Sequence, residues 1–159
     1  MDRNLAQRPD EYWMRLALKQ ARLARGKDEV PVGALIVLNH KVLARGHNLT
    51  ESKQDPLAHA EMQAIRRAAV KTGSWRLEGA SLYVTLEPCA MCAGAIVLSR
   101  ITRLVFGAAD PKAGACGSLR DIVRDSRLNH RVEVTEGVLA SEASELLSRF
   151  FKDLRRKTD

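Results

Sequence analysis

The sequence predicts a layered α/β domain in which one sheet carries helices on both of its faces. Segments with apolar residues three to four positions apart alternate with short segments that are apolar throughout or rich in β-branched residues, in the order α-β-β-α-β-α-β-α-β-α. The segment VGALIVL is apolar at almost every position, as expected for a strand buried on both faces. Helices that alternate with such strands pack on both sides of one sheet.

The first half of the chain predicts two helices around a pair of strands. Apolar residues recur at helical spacing from Asp10 to Arg25, and Gly26 follows as a stop signal. The segment VGALIVLNHKVLARGHN predicts two strands joined at an Asn39-His40 turn. After a polar loop and Pro56, the segment HAEMQAIRRAAVKTG predicts the next helix. The apolar face of this helix comprises Ala60, Ala64, Ile65, Ala68 and Ala69.

The second half continues the alternation. The segment SLYVTLE predicts a strand, residues 89–99 a short helix, and ITRLVFGA another strand. The loop at 108–117 is rich in Gly and Ala and long enough to be functional. A short helix is predicted at 118–125, a strand in HRVEVTEGV and an amphipathic terminal helix at 141–156. We expect residues 1–159 to form one domain, with 1–10 as a flexible tail.

The composition indicates a basic globular protein. Of 159 residues, 26 are Lys or Arg and 19 are Asp or Glu, so the formal net charge is +7. Such a surface attracts polyanions such as nucleic acid, although an ordinary basic enzyme gives the same count. No segment reaches the roughly 18 consecutive apolar residues of a membrane-spanning helix. The N-terminal MDRNLAQRPDEYW lacks the apolar core of a secretory signal, and three cysteines form no disulfide framework, which favours a reducing cytoplasm.

The segment LEPCAMC carries the strongest chemical signal. Cys89 and Cys92 are three positions apart at the start of a predicted helix, so both thiols lie on one helix face and can bind one metal ion. The positive end of the helix favours the thiolate form that metal binding requires. The sequence has no second Cys pair, because Cys116 is the only other cysteine. We expect Cys116 to be packed and unligated.

A histidine is therefore expected to complete the site, and four are available. His40 lies in a predicted turn and His130 just before a late strand, so both are expected to face solvent. His47 closes the second strand and is less simply explained. His59 opens a helix and stands two positions before Glu61 in the segment HAE. One His and two Cys leave the fourth position of a tetrahedral zinc ion open for a water, whose proton Glu61 can accept.

Longer segments carry a resemblance to a known family. H-x-E followed by P-C-x-x-C is typical of zinc nucleobase deaminases, in which the glutamate is the acid and base and not a ligand. The chain also contains VPVGALIV, GHN, PLAHAEMQAI, LYVTLEPCAMCAGAIVLSRI, LVFGAADPKAGACGS and NHRVEVTEGVL, with a Phe150-Phe151 pair near the end. From about residue 13 to about residue 156 it closely resembles bacterial TadA-type tRNA adenosine deaminases. The zinc motifs are shared by the whole cytidine-deaminase-like superfamily, whereas LVFGA-D-P-K and the basic terminal helix are similar to the tRNA enzymes.

The resemblance implies a three-layer α/β/α sandwich of the cytidine-deaminase-like type, with a five-stranded mixed sheet. It implies one zinc ion per subunit, bound by His59, Cys89 and Cys92 with a water or hydroxide as fourth ligand, and Glu61 as the proton shuttle. The implied reaction is the hydrolytic deamination of the wobble adenosine of an arginine tRNA to inosine by a homodimer. The implied substrate contacts are Asn48 and Ala60 at the base, Asp110 and Lys112 at neighbouring nucleotides, and Phe151 at the anticodon loop.

By position alone, these residues have simpler explanations. Asn48 directly after a strand is typical of a turn, and Asp110 before Pro111 is typical of a turn initiator. Phe150 and Phe151 cannot both face the core from one amphipathic helix, so one of them is expected to be exposed. Pro111, where some relatives carry Ala, stiffens its loop and affects the details of loop contact.

Two other functions stay open from the sequence. A deaminase of a free base or nucleoside, such as guanine or cytidine, would share the zinc motifs without needing a charge of +7 or a basic tail. A non-catalytic, zinc-stapled RNA-binding subunit tolerates loss of the shuttle carboxylate, so the presence of Glu61 argues against that role.

Overall fold

The structure is a computed structural model that describes residues 8–159. This part of the chain forms five strands and five helices. In chain order they are α1 (Asp10–Gly26), β1 (Gly33–Leu38), β2 (Lys41–His47), α2 (Thr50–Lys53), α3 (Ala60–Thr72), β3 (Ser81–Leu86), α4 (Ala90–Leu98), β4 (Arg103–Ala108), β5 (Glu133–Thr135) and α5 (Ala140–Thr158). Residues 1–7 of the expected tail lie outside the described residues, whereas Asp10 belongs to α1.

One mixed sheet forms the middle layer, with the strand order β2-β1-β3-β4-β5. β1 pairs antiparallel with β2 and with β3, whereas β3, β4 and β5 are parallel. The parallel part requires crossover connections, and α4 supplies the one between β3 and β4. The turn between β1 and β2 has positive φ at Asn39 (51°) and His40 (58°), as the twist of a tight hairpin requires. The predicted fold class, a mixed five-stranded sheet with helices on both faces, is confirmed.

Alternate residues of β1 face the two helical layers, which explains why this strand is apolar throughout. Ala34 and Ile36 belong to the core on the side of α3 and α4. Leu35 and Val37 belong to the core on the side of α1, where Trp13 packs. The face predicted for α3 contributes three fully buried alanines, namely Ala60, Ala64 and Ala68.

α3 lies very close to β2 at Gly46. A Cβ atom at this position would lie 2.3 Å from the carbonyl oxygen of Ala60 and 2.7 Å from the amide nitrogen of Ala64. Only glycine permits such an approach between two backbones. The first turn of α3, which contains Glu61 and follows His59, is thereby held against the end of β2.

Residues 118–125, predicted as a short helix, instead form turns and one isolated bridge between Cys116 and Asp121. The reason is a competing set of hydrogen bonds. The backbone amides of Cys116 and Ser118 donate to the carboxylate of Glu87. Within the segment itself, the amide of Ile122 donates to the carbonyl of Ala115 at 2.9 Å, and the carbonyl of Arg120 accepts from the amide of Gly117 at 2.8 Å. Neither group is then available for the i to i−4 hydrogen bonds of a helix.

Two other segments differ in extent from their predictions. The strand predicted in HRVEVTEGV is limited to β5, because positive φ at Gly137 (78°) and Leu139 (52°) takes the chain out of the extended conformation. The predicted polar loop before Pro56 contains the single turn of α2. The fully buried carboxylate of Glu29 accepts hydrogen bonds from the Ser52 amide and hydroxyl and from the next amide upstream, which caps this turn.

Candidate active site

The N-terminal ends of α3 and α4 meet at one point beside the sheet. His59 is the cap residue of α3, Cys89 occupies the same position in α4, and Cys92 follows within the first turn. The Nδ1 atom of His59 lies 3.6 Å from Sγ of Cys89 and 3.5 Å from Sγ of Cys92. The structure thus brings together the three side chains that the sequence predicts as metal ligands.

These distances fit a tetrahedral zinc ion. Bonds of about 2.3 Å to sulfur and about 2.0–2.1 Å to nitrogen, at tetrahedral angles, require a nitrogen–sulfur separation of about 3.5–3.6 Å. The three donor atoms lie within 4.8 Å of one another. Three protein ligands leave one coordination position for water or substrate, as in catalytic zinc sites, whereas structural sites are closed by four. The donor set therefore fits a catalytic zinc ion.

Contacts among the donors favour the thiolate form of Cys89. Hydrogen bonds with Cys92 and with His59 lower the pKa of the Cys89 thiol to about 3. The contact with Cys89 raises the pKa of the His59 ring and, together with burial, raises the pKa of Cys92. A bound metal dication compensates the charge of both thiolates, because binding displaces the thiol protons.

Glu61 lies beside the donor atoms, where it lines a cavity of about 320 Å³ together with His59 and Cys89. It is the second residue of α3 and is only 4% exposed. Burial raises the pKa of its carboxyl group, opposed by a backbone hydrogen bond and by one with Cys92. A carboxyl group in such a setting can accept a proton and deliver it again.

Asn48 and Ala60, predicted to contact the base, line the same cavity. The Oδ1 atom of Asn48 accepts hydrogen bonds from the amide of Thr50 at 3.3 Å and from its hydroxyl at 2.6 Å. Asn48 is therefore a turn residue, as its position alone suggests, and a wall of the cavity as well. Because the backbone amide of Thr50 is only a donor, the side-chain oxygen faces it, and the NH₂ group is the remaining polar end of Asn48.

A second cavity, of about 690 Å³, adjoins the first and shares Val30, Leu86 and Asp110 with it. We call the two cavities together the active-site groove. The second cavity is lined by Lys112 and Phe151, the two remaining predicted contact residues, and the structure therefore gathers all five predicted substrate contacts along one groove. The second cavity also includes Ser144, Leu147, Ser148 and Arg155 of α5.

Asp110 and Phe151 also match the simpler explanations. The Oδ1 atom of Asp110 accepts hydrogen bonds from the amides of Lys112, at 3.0 Å, and Ala113, at 3.2 Å, as a turn initiator does. Phe151 is 41% exposed, and its ring packs edge to face against the half-buried ring of Phe150 at 5.3 Å. One phenylalanine of the pair is thus exposed, as predicted.

Sequence reasoning missed an acidic residue in the wall of the site. Glu87 lines the first cavity, is 2% exposed, and accepts hydrogen bonds from Ser118 and from the amides of Asp110 and Cys116. Burial works to raise the pKa of Glu87, but these hydrogen bonds outweigh it and hold the pKa below its ordinary value. The sequence feature that could have indicated Glu87 as a site residue is its position directly after a predicted apolar strand. Other cavity residues that the sequence did not single out are Val30, Val32, Thr50, Glu51, Leu86 and Ala113.

The other histidines and the third cysteine lie outside the group of metal donors. His47 is buried, with Nε2 3.1 Å from Nζ of Lys27 and Nδ1 3.3 Å from Oε1 of Gln20, and burial followed by the charge of Lys27 lowers its pKa. His130 is half-buried, and its Nε2 donates to a backbone carbonyl at 2.7 Å, so the expectation that it faces solvent is wrong. Cys116 is fully buried outside the donor group, as expected. His40 is exposed.

The motifs H-x-E and P-C-x-x-C lie at the N-terminal ends of two helices beside a mixed sheet, and a buried glutamate stands next to the three metal donors. This combination of fold and site defines the class of nucleobase deaminases. The model of the MafB19-like deaminase family matches residues 9–155. A tRNA-specific adenosine deaminase of Bacillus subtilis (strain 168) is 53% identical over 148 residues, which cover 93% of this chain and 92% of that protein. One of Aquifex aeolicus (strain VF5) is 50% identical over 145 residues, covering 91% and 95%.

Two solved structures are similar to this chain in fold. A structure from a study of A-to-I editing by tRNA:A34 deaminases at the wobble position superposes with a TM-score of 0.83 and 48% identity, over 86% of this chain and 99% of that one. A guanine deaminase from Nitrosomonas europaea has a TM-score of 0.80 at 23% identity, over 91% and 86%, and shares the fold. The chain belongs to the family of tRNA-specific adenosine deaminases, and it is an enzyme.

Within residues 8–159, no helix has the length and apolar character needed to span a membrane.

Proposed function

We propose that this chain converts the wobble adenosine of an arginine tRNA to inosine by zinc-dependent hydrolysis. The observation that carries the proposal is the position of buried Glu61 beside three donors, His59, Cys89 and Cys92, whose spacing fits zinc with one free coordination position. Relatives named tRNA-specific adenosine deaminase, at 43–53% identity, support adenosine in tRNA as the substrate. The arginine tRNA follows from the sequence resemblance.

The proposed reaction consumes one water and releases ammonia, as a C–O bond forms at C6 of adenine and the C6–N6 bond breaks. When bound, zinc lowers the pKa of a water molecule to about 7 and so supplies a nucleophile near neutral pH. Glu61 accepts the first proton of the water and delivers it to N1 of the purine ring. Glu61 then carries the second proton to the amino group, which leaves as ammonia.

Asn48 and Ala60 are proposed to hold the purine ring. The oxygen of Asn48 is engaged by Thr50, so its NH₂ group donates to a ring nitrogen of the base. The backbone of Ala60, between His59 and Glu61, contacts the base edge. Polar groups of the protein that hydrogen-bond to a purine are left unpaired when a different base enters the site. This cost favours adenine over cytosine.

The second cavity of the active-site groove is proposed to bind the nucleotides on either side of the wobble base. Lys112 and Arg155 contact phosphates, Asp110 shapes the loop, and Phe151 offers an exposed ring for stacking. The wobble base must be turned out of its stack to reach the first cavity, and an anticodon loop allows this at lower cost than a duplex. The net charge of +7 suits such a ligand.

An inosine assay at the wobble position tests the proposal. The zinc-loaded enzyme is incubated with an arginine tRNA anticodon stem-loop, and with a control stem-loop that carries its adenosine at a different loop position. We expect inosine in the first and little in the second. Free guanine or cytidine as the better substrate would refute the proposal in favour of a small-molecule deaminase.

The chain is proposed to act as one domain in a cytoplasmic homodimer. The resemblance supports the dimer, as do exposed apolar side chains on the outer layer, including Leu98 of α4 (69% exposed) and Trp75 after α3 (60% exposed). Light scattering during gel filtration is expected to give twice the chain mass of 17.6 kDa. A value equal to one chain mass at working concentration contradicts the dimer.

A further inference from the structure

Glu87 is a buried carboxylate to which the proposed reaction assigns no role. It follows β3, stands two positions before Cys89, and is 2% exposed. Its Oε1 accepts hydrogen bonds from the amide of Asp110 at 3.0 Å and from the hydroxyl of Ser118. Its Oε2 accepts hydrogen bonds from the amides of Cys116, at 3.1 Å, and Ser118, at 3.0 Å. Both oxygens are therefore fully used by one segment of the chain.

All of these donors belong to residues 110–118, which we call the groove loop. Its first part lines the groove on both sides of Asp110, since Ala113 faces the first cavity and Lys112 the second. Glu87 also lines the first cavity. One side chain thus connects the segment that carries the metal-binding cysteines to the loop that borders the second cavity.

The groove loop is shaped to admit this carboxylate. A Cβ atom at Gly114 would lie 2.3 Å from Oε2 of Glu87, so any larger residue would displace one or the other. The amide of Ala115 donates to the carbonyl of Pro88 at 2.9 Å, which adds a backbone contact between the same two segments. Four hydrogen bonds to a buried anion are strong ones, because the acceptor is charged and shielded from water.

We propose that Glu87 is a positioning residue that fixes the groove loop relative to the metal-binding end of α4, and so sets the enzyme's affinity for RNA. This inference rests on the proposed function. Glu87 acts through the loop on substrate binding and takes no part in proton transfer, which Glu61 performs. Loss of the hydrogen bonds between Glu87 and the groove loop therefore weakens binding of the anticodon arm, while the bound base still reacts.

Replacement by glutamine is the sharpest perturbation. In the variant Glu87→Gln the side chain keeps its shape, but one of its two acceptor atoms becomes an NH₂ donor. An NH₂ group at either position faces at least one backbone amide, of Asp110 on one side or of Cys116 and Ser118 on the other, and two donors cannot pair. At least one hydrogen bond is lost together with the negative charge.

Steady-state kinetics on the anticodon stem-loop tests the proposal with the zinc-loaded enzyme. For Glu87→Gln we expect KM to rise about tenfold, the effect of one lost hydrogen bond to a charged group, while kcat stays within about twofold. Zinc content is expected to stay at the wild-type value. The matched control Glu78→Gln removes the same charge at a side chain that is 66% exposed, and it should change neither constant. An unchanged KM, or a loss confined to kcat, overturns the proposal.

Hydrogen exchange measured by mass spectrometry provides a readout that needs no activity. Peptides covering the groove loop are expected to exchange faster in Glu87→Gln than in wild type, and Ser118→Ala should give a smaller increase because only one donor is lost. The double variant should show less than the sum of the two effects, since both substitutions weaken the same contact between residue 87 and the groove loop. Unchanged exchange in both single variants overturns the proposal. If the wild-type enzyme fails to edit the stem-loop, the proposed function fails. The exchange experiment still tests whether Glu87 holds the groove loop in place.

Discussion

Two buried glutamates line the same cavity, but their pKa values are shifted in opposite directions. Glu61 is 4% exposed, and burial raises its pKa, whereas Glu87 is 2% exposed and its hydrogen bonds outweigh burial and lower its pKa. A carboxyl group with a raised pKa exchanges protons readily, while one that accepts four hydrogen bonds stays ionised. These opposite pKa shifts suit the roles that we propose, proton transfer for Glu61 and positioning of the groove loop for Glu87.

The role of Glu61 predicts a loss of rate without a loss of metal. In Glu61→Gln the side chain keeps its size but cannot accept the proton of the attacking water. We expect kcat on the anticodon stem-loop to fall by at least about a hundredfold, within the usual effect of removing a general acid–base group. Zinc analysis of the same sample should give the wild-type content, because Glu61 is not among the three donors. Activity that persists in this variant would contradict the assignment.

The elements of the fold differ in how far local sequence determines them. α1 and α5 follow their apolar periodicity, and their predicted ends lie within two residues of the observed ones. Residues 118–125 could not be predicted, because the loop before them is held by Glu87, 31 positions from Ser118, and the amide of Ile122 pairs with the carbonyl of Ala115 instead of with a helical partner. The capping of α2 by Glu29 is equally non-local, with 23 positions between Glu29 and Ser52. Local patterns specify elements whose hydrogen bonds are local, and they miss segments held by a distant side chain.

The packing of α3 on β2 predicts that Gly46→Ala damages both stability and activity. The added methyl group meets the backbone of Ala60 and Ala64, and relieving such overlap costs about 1–3 kcal/mol. Because Ala60 lies between His59 and Glu61, the shift also moves a proposed metal ligand and the proposed proton carrier. Urea unfolding of the zinc-loaded enzyme and the inosine assay measure the two effects.

Gly26→Ala is the matched control for this prediction. Gly26 ends α1, has open space around its Cβ position and has no positive φ. The same substitution there should leave the free energy of unfolding unchanged or raise it by up to about 1 kcal/mol. Equal destabilisation by both substitutions would show that the close approach of α3 to β2 is not what Gly46 provides.

At the scale of the whole molecule, the site joins residues that are far apart in sequence. His59 and Cys89 are 30 positions apart, and Phe151 is on the last helix. The motifs H-x-E and P-C-x-x-C made the grouping of the three candidate metal donors predictable, since their chemistry is strict in residue type and spacing. The groove contacts came from resemblance alone, because a lysine in a loop or a phenylalanine on a helix has many ordinary explanations. The net charge of +7 indicated a polyanion but not the surface that binds it.

The groove predicts where the salt dependence of RNA binding originates. If Lys112 contacts a phosphate, Lys112→Gln removes one released counterion, and the slope of log Kd against log salt concentration should decrease by about 0.7 for a single-stranded loop.

Lys41→Gln makes the same charge change at the start of β2, beside the hairpin turn, whereas the groove adjoins the other end of this strand. The seven residues of β2 span six steps of about 3.3 Å, so its two ends are about 20 Å apart, roughly twice the screening length at 0.1 M salt. We therefore expect Lys41→Gln to leave the slope unchanged, and equal changes in both variants would assign the salt dependence to overall charge rather than to the groove.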